Sequence, residues 1–368
     1  MRFKWICRTA ALALLALGWG GCGGEAPGDV QGGKTGNTIR REELKSPPPP
    51  RKVELVWPTP NEAFWRGEPV EVFIQPTASG LVRSGLFGSV RSGGRQFHEG
   101  IDLLPLQRDR KGEALDPVRA AMAGVVRRAS RKAGASSFGR YVVLEHTEES
   151  PSVYTLYAHL EEVAAGVVEG KTLAAGEALG KMGRSAGGYT IPKDRAHLHF
   201  EIGLRVTDRF QAWYSKRGFG SVNEHGLWNG MNLMGVDPLP FFAKARDGGL
   251  SSLDELFLAM PVAVLARVAR PEEPDFIRRY PTLLINKDEP VVNRIGWEIA
   301  FDASGVPIRW RSLDAAPLAG WKRGEVRIME TNTELLAQNR GRELVKKGKN
   351  GPVPGDDLKT VLEQLFGG

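Results

Sequence analysis

The sequence predicts a mainly β fold, in which a compact antiparallel β-sheet unit is followed by a smaller α+β region. The 368 residues include 45 Gly and 24 Pro, which favours turn-rich sheet structure over a helix bundle. Residues 81–240 contain many short alternating apolar segments separated by glycine turns. Helix signals enter after about residue 245. With 41% apolar residues, the chain can build a real core.

Local patterns predict the individual elements of the β unit. Alternation of apolar and polar residues predicts strands at residues 53–57 and 70–74. Residues 139–146 and 153–160, joined by a polar loop, predict an antiparallel hairpin. Closely spaced glycines between residues 168 and 183 predict sharp turns in a compact all-β unit.

The C-terminal region has a different pattern. Residues 252–255 fit a capping box that opens a helix. Residues 295–301 and 306–310 flank a turn and predict a second hairpin. Apolar residues at helical spacing between Leu358 and Phe366 predict a final helix. No chemical motif occurs here, so residues 245–368 are expected to form an accessory α+β region of unknown role.

The N-terminus has the pattern of an export signal. Residues 1–22 contain three basic residues and an apolar run that is shorter than the roughly 20 residues needed to span a bilayer. The small residues before Cys22 resemble a bacterial lipoprotein cleavage box, so we expect lipid attachment at Cys22, with ordinary cleavage and secretion as the alternative. Residues 23–50 are Gly-, Pro- and charge-rich and predict a disordered tether. The protein is therefore expected at the cell envelope, membrane-anchored or secreted.

Charge and cysteine content narrow the choice of partners. The net charge is +7, but no basic run carries interleaved aromatic residues, so a nucleic-acid partner is not expected. Both cysteines, Cys7 and Cys22, lie in the first 22 residues. A metal site in the rest of the chain must therefore use His, Asp or Glu.

Four of the six histidines fall in three short motifs, His98-Glu99-Gly100-Ile101-Asp102, Tyr157-Ala158-His159 and His197-Leu198-His199. The third motif lies in an alternating stretch, so His197 and His199 are expected to project from one strand face. On a straight strand His98 and Asp102 would be roughly 13 Å apart. A bend between them is therefore expected, and Gly100 is the residue that permits it.

One carboxylate and two imidazoles match the ligand set of a catalytic zinc site. His98, Asp102 and one of the neighbouring pair His197 and His199 offer three N/O ligands and leave one tetrahedral position open. We expect one Zn²⁺ ion there. Alternation would put His159 on the strand face of Val153, Thr155 and Tyr157. His159 and His197 could share proton transfer and oxyanion stabilisation, and the residues alone do not divide these roles.

Residues 84–203 resemble the lysostaphin-type zinc metallopeptidase family, peptidase family M23. The resemblance rests on residues 87–91, on the three histidine motifs and on the glycine series at 170, 176, 180 and 183. It covers about a third of the chain. The segments 105–116 and 205–235 look inserted relative to the family, and they are expected to rim the substrate groove.

The resemblance implies a lysostaphin-like fold of the duplicated hybrid motif type in a metallopeptidase domain at residues 51–244. It implies that His98, Asp102 and His199 bind zinc and that His159 and His197 are catalytic. The expected activity is zinc-dependent endopeptidase cleavage of peptidoglycan cross-links or stem peptides. The alternative is a non-catalytic relative that binds or activates other cell-wall enzymes. The scissile bond and the oligomeric state are not predicted.

Four further residues have interpretations of their own. Glu201 shares the parity of His197 and His199, so it is either a partner of a metal ligand or a surface carboxylate. Arg91 is expected to pair either with an acidic substrate group or with a structural carboxylate. We expect a structural role for His146, and a solvent-facing or turn-pairing role for His225.

Overall fold

A seven-stranded antiparallel sheet forms the centre of this computed structural model, which describes residues 52–289 and 293–367. The expected export signal, Cys22 and the tether to residue 50 lie outside the described residues. The described residues belong to one compact unit, and the predicted mainly β fold is confirmed. Within residues 52–289 and 293–367, no helix is both long and apolar enough to cross a membrane.

The strands are short and every pair of them is antiparallel. In chain order they are β1 Gly88–Arg91, β2 Gln96–His98, β3 Ile101–Leu103, β4 Pro117–Arg119, β5 Gly124–Ser130, β6 Arg140–His146, β7 Val153–Leu160, β8 Glu162–Val163, β9 Thr172–Leu173, β10 Ala178–Lys181, β11 Leu198–Arg205, β12 Leu233–Val236, β13 Val264–Val268, β14 Gly296–Phe301, β15 Pro307–Leu313, β16 Val326–Thr331, β17 Val345–Gly348 and β18 Gly351–Pro354.

The helices are also short and lie mostly after the central sheet. The α-helices are α1 Phe210–Arg217, α2 Leu239–Arg246, α3 Leu253–Ala259, α4 Asp275–Arg279, α5 Thr333–Gln338 and α6 Asp356–Phe366. The 3₁₀ helices are Val70–Val72, Val82–Gly85, Ser92–Gly94, Lys193–Arg195, Gly226–Trp228, Gly230–Asn232, Pro281–Leu283 and Ala316–Leu318.

The central sheet has the strand order β12-β11-β7-β6-β5-β9, and β3 adds to β11. The predicted hairpin is β6–β7, and the long pairing of β7 with β11 sets the middle of the sheet. The remaining sheets are β4-β10-β8, the pair β1-β2, the pair β17-β18 and the C-terminal sheet β15-β14-β13-β16. The predicted C-terminal hairpin, the helix opened at Ser252 and the final helix are confirmed as β14–β15, α3 and α6.

One hydrophobic cluster runs through the unit and includes residues of both the central sheet and the C-terminal sheet and helices. On β7, Val153 and Tyr157 belong to this main core. Tyr154, Leu156 and Ala158 face the other side of the sheet, where they join a small second cluster. The two faces of β7 therefore have different environments, and this second face carries the candidate site.

Two predicted strands near the start of the described chain are wrong. Residues 53–57 keep the predicted alternation of burial but form no ladder, because the amides of Val53 and Val56 bond singly to the carbonyl groups of Leu250 and Ala121. Residues 70–74 begin with a 3₁₀ turn, since the Val70 carbonyl accepts from the amides of Phe73 and Ile74. The alternation at 53–57 reflects packing onto the core, whereas in 70–74 Val72 is exposed, Phe73 and Ile74 are both buried, and only Ile74 forms a bridge, to Leu103.

Candidate metal centre

The strands β2, β3 and β11 bring the three predicted ligands together. His98 ends β2, and Asp102 on β3 is the direct cross-strand neighbour of His199 on β11. The bend predicted between His98 and Asp102 lies at residues 99–100. A Cβ atom on Gly100 would lie 2.2 Å from the carbonyl oxygen of Phe200. Gly100 is therefore required because the β11 backbone approaches it so closely.

Three acceptor atoms meet at nearly equal distances in this cluster. His98 Nε2 lies 3.0 Å from His199 Nδ1 and 3.1 Å from Asp102 Oδ1. His199 Nδ1 lies 3.2 Å from the same Asp102 oxygen. All three side chains are buried. The three atoms form an almost equilateral triangle inside the protein.

The outer atoms of these residues are bonded to partners that fix their orientation. His98 Nδ1 donates to the Leu86 carbonyl at 2.7 Å, and His199 Nε2 donates to Glu201 Oε1 at 2.9 Å. A carbonyl and a carboxylate accept only, so the neutral rings present lone pairs at His98 Nε2 and His199 Nδ1. The Arg91 guanidinium bonds the second oxygen, Asp102 Oδ2.

The three acceptor atoms and the Asp102 charge favour a bound cation. Burial alone would lower the pKa of His199, but its hydrogen bonds to Asp102 and Glu201 raise that pKa to about 9. Burial would raise the pKa of Asp102, but the neighbouring His98 and His197 and the hydrogen bond from His199 hold it well below its usual value. Without a metal ion, a proton on His199 would balance the negative charge of Asp102.

The triangle also has the size that zinc requires. Tetrahedral zinc with bonds of about 2.0–2.1 Å places neighbouring ligand atoms about 3.3 Å apart. The observed separations of 3.0, 3.1 and 3.2 Å are close to this length. The residues present therefore fit a zinc ion with one position left open.

His159 reaches this site through a β-bulge, which strand alternation does not predict. Arg140 pairs with Leu160 and Val142 with Tyr157, so Ala158 and His159 together oppose a single residue of β6. His159 has a positive φ of 61°. Its ring centroid lies 4.8 Å from that of His197 and 5.9 Å from that of His199. The predicted sharing of a face with Val153, Thr155 and Tyr157 is wrong, because the bulge turns His159 away from the core.

The surroundings of His159 and His197 favour the neutral form of both imidazoles. Burial and the nearby His197 and His199 lower the pKa of His159 well below its usual value. Burial also lowers the pKa of His197, although Asp102 opposes the shift. Nδ1 of His159 donates to the Ser185 carbonyl at 2.9 Å, and Nδ1 of His197 donates to the Arg195 carbonyl at 2.7 Å. In each ring Nε2 is therefore the atom able to accept a proton.

A cavity of about 410 Å³ opens beside these two rings, and Asp102, His159 and His197 form part of its wall. Both segments expected to rim the groove lie beside cavities near the site. In segment 105–116, Glu113 forms a two-point ion pair with Arg184, at 2.8 and 3.0 Å, next to a cavity of about 480 Å³. Segment 205–235 contains α1 and lines a cavity of about 780 Å³ on the side of Phe138.

The contacts of four further residues bear on their expected roles. Glu201 is 2% exposed and bonds His199, and its other oxygen accepts from the Tyr154 hydroxyl at 2.6 Å. Arg91 pairs with Asp102 and with no other carboxylate within residues 52–289 and 293–367. His146 is buried between the Ala123 carbonyl and the Thr155 hydroxyl, and burial lowers its pKa to about 4. His225 pairs with the Tyr141 hydroxyl at 2.7 Å.

Some contacts at the site carry no recognisable sequence signal. The Leu86 and Ser185 carbonyl groups fix two imidazoles, but a backbone acceptor can belong to any residue type. Phe138 packs on His199 with ring centroids 5.8 Å apart, from a turn before β6. Tyr154 could have been suggested by its parity with Ala158, which faces His199 across the β7–β11 pair.

This geometry agrees with a comparison against family models. Residues 96–210 match the model of peptidase family M23. The matched range includes His98, Asp102, His159, His197 and His199. No match to the chain is found among the curated proteins.

Solved structures show similarity over part of the chain. A zinc-containing peptidase from Vibrio cholerae is 23% identical over 41% of this chain and 36% of that chain, with a TM-score of 0.27. The catalytic domain of the antimicrobial peptidase lysostaphin from Staphylococcus simulans is 20% identical over 46% and 89%, with a TM-score of 0.25. A candidate glycyl-glycine endopeptidase from Ruminococcus gnavus is 28% identical over 31% and 43%, with a TM-score of 0.24. The chain thus spans less than half the length of the first and third of these proteins.

Proposed function

We propose that this protein is a zinc-dependent endopeptidase that hydrolyses peptide bonds in peptidoglycan cross-links or stem peptides. The observation that carries the proposal is the triangle of acceptor atoms from His98, Asp102 and His199 beside two neutral imidazoles. The match of residues 96–210 to peptidase family M23 supports the substrate class.

We propose that the three cluster residues hold the ion through His98 Nε2, Asp102 Oδ1 and His199 Nδ1. A bound zinc ion would supply Lewis acidity, which polarises a peptide carbonyl and lowers the pKa of water to about 7. Glu201 and the Leu86 carbonyl keep the two imidazoles in the tautomer that binds metal. Arg91 holds Asp102 through its other oxygen.

His159 and His197 would carry the protons of the reaction. Their lowered pKa values keep both rings neutral at pH 7, so either Nε2 can take a proton from the attacking water. The ring that has gained a proton can then give it to the leaving amine. The partner ring can stabilise the negative charge that develops on the substrate oxygen. The contacts described do not assign one role to one ring.

The test is digestion of purified peptidoglycan by zinc-loaded protein, by the protein treated with a chelator, and by His199→Ala. We expect release of wall peptides from the zinc-loaded protein alone, with restoration after zinc is returned to the chelated sample. The matched control is His225→Gln, which changes a half-buried histidine outside the metal cluster and is expected to keep activity. Undiminished lysis by both the chelated protein and His199→Ala would refute zinc-dependent cleavage. No release of wall peptides by the zinc-loaded protein would refute the peptidase proposal and favour a binding module.

We also propose that the chain is exported and anchored to a membrane by lipid on Cys22. The support is the sequence pattern of residues 1–22. In a bacterial host, labelled palmitate should enter the wild-type chain and not Cys22→Ser, and the variant should move to the soluble fraction. Equal labelling of the two chains, or none, would contradict lipid attachment.

A further inference from the structure

The cavity of about 410 Å³ beside the candidate metal centre has walls suited to a peptide. Backbone and side chains of residues 76–79 and 189–192 line it, and they supply hydroxyl groups and small apolar surfaces. The proposed catalytic residues His159 and His197 belong to the same wall. A substrate group bound here lies next to the reacting bond.

The cavity carries an excess of positive charge. Its charged lining residues are Arg91, Arg195 and Asp102. Arg91 is neutralised locally, because it bonds Asp102 and also donates to the Ser84 carbonyl at 3.0 Å. The guanidinium of Arg195 makes no hydrogen bond or ion pair with any residue in 52–289 or 293–367. Asp102 is the sole carboxylate among the described lining residues, so the charge of Arg195 is uncompensated.

The backbone of Arg195 is fixed although its side chain is free. Arg195 ends the 3₁₀ helix Lys193–Arg195, and its carbonyl accepts the Nδ1 proton of His197. The Arg108 guanidinium, from the segment 105–116, bonds the carbonyl groups of Lys193 and Asp194. Arg195 is a half-buried residue, and its side chain therefore extends from a hydrogen-bonded backbone segment that contacts the proposed catalytic His197.

We propose that Arg195 binds a carboxylate of the peptide substrate and makes the enzyme selective for substrates that carry a free carboxylate near the scissile bond. This rests on the proposed peptidase function. A guanidinium presents paired N–H donors that match a carboxylate, and a half-buried site strengthens that charge-assisted bond. The position of Arg195 makes it a specificity-determining residue, and the proton-transfer chemistry stays with the two histidines.

The test uses two wall peptides that differ only at one end, which is a free carboxylate in one and a carboxamide in the other. Calorimetry measures their binding to zinc-loaded His159→Ala, a background in which turnover is slow and the Arg195 carbonyl contact is untouched. We expect the carboxylate peptide to bind about tenfold more tightly, which corresponds to about 1.4 kcal/mol. Adding Arg195→Gln should remove this preference and leave carboxamide binding within about twofold.

Two further variants separate a direct contact from a general charge effect. Arg119→Gln removes the same charge from an exposed position on β4 that lines none of the cavities described, so the preference should persist. Arg195→Lys keeps the charge without the paired donors and should recover part of the preference. Equal binding of the two peptides, equal weakening of both by Arg195→Gln, or no binding of either would overturn the role of Arg195.

Parallel digestion by the wild-type protein distinguishes this inference from the proposed function. Cleavage of both peptides with equal KM would contradict the role of Arg195 and leave the peptidase proposal standing. A carboxylate preference in binding, together with intact peptides after prolonged digestion, would support Arg195 as an anion site and contradict the peptidase proposal.

Discussion

Replacing Glu201 tests whether the proposed zinc site depends on a residue that is not one of its proposed ligands. Glu201 Oε1 accepts the Nε2 proton of His199 at 2.9 Å, and the side chain is 2% exposed. This bond fixes the tautomer that leaves Nδ1 of His199 as the metal-facing atom. Glu201→Gln keeps the shape of the side chain but removes its charge, and Glu201→Ala removes the acceptor altogether.

The expected loss of zinc affinity follows from that contact. Partners that orient a metal ligand typically contribute 10- to 100-fold to metal affinity. The amide oxygen of Gln can still accept from His199, so we expect about a tenfold loss for Glu201→Gln, or about 1.4 kcal/mol. Glu201→Ala leaves the buried Nε2–H group of His199 without an acceptor, so its loss should approach about 100-fold.

Competition with a fluorescent zinc chelator at fixed pH measures these affinities, and thermal unfolding confirms that each variant is folded. Tyr154→Phe is the matched control, because it removes the 2.6 Å bond to the other oxygen of Glu201 and leaves the bond to His199. Its affinity should stay within about threefold of wild type. Wild-type affinity in both Glu201 variants would contradict the proposed role of Glu201 in orienting His199.

Three further predictions concern proton transfer, zinc binding and the C-terminal region. His159→Ala and His197→Ala should each lower kcat by about 10²- to 10⁴-fold while zinc content stays at one ion per chain, and loss of zinc would contradict their assignment. At pH 7, zinc binding should release about one proton, because the metal-free His199 has a pKa of about 9. Calorimetry in buffers of different ionisation enthalpy measures the number of protons released, and a value of zero would contradict displacement of a proton from His199. A chain ending at residue 244 should lose its cooperative thermal transition, because the main core continues through Phe257 and Trp297; a sharp transition at the wild-type temperature would contradict this.

The sequence was sufficient to predict that His98, Asp102 and His199 lie together, because strand parity and a glycine bend are local properties. His197 and His199 lie two residues apart and both approach Asp102, as the alternation predicts. The bend before Ile101 also occurs where it was expected. The reason for Gly100 is different, however. Its missing Cβ makes room for the Phe200 carbonyl, and that contact comes from another strand.

The position of His159 could not be predicted from alternation. Strand alternation places His159 on the core face of β7 with Tyr157. The bulge opposite Tyr141 instead turns it towards His197 and His199. A bulge depends on the register between two strands, which a single strand pattern does not contain. The choice between the two interpretations of Glu201 likewise needed the burial that neighbouring strands provide.

The relation of the C-terminal region to the site was not predicted either. Asn339 accepts a hydrogen bond from the Ser89 amide at 3.2 Å, and the Gly341 amide donates to the Ser89 hydroxyl at 2.9 Å. Arg342 forms an ion pair at 3.1 Å with Glu99, the residue that follows His98. These contacts support the β1–β2 hairpin that carries His98. They join positions about 250 residues apart, which no local pattern reveals.

The proposed endopeptidase activity is tested most directly by digestion of a defined cross-linked muropeptide in ¹⁸O-labelled water, with protein that carries one zinc ion per chain. Mass spectrometry should find two fragments with a new amino end and a new carboxyl end. One ¹⁸O atom should be present in the new carboxyl group, and Asp102→Ala should produce neither fragment. An intact muropeptide after prolonged incubation with folded, zinc-loaded protein would contradict the proposed endopeptidase activity.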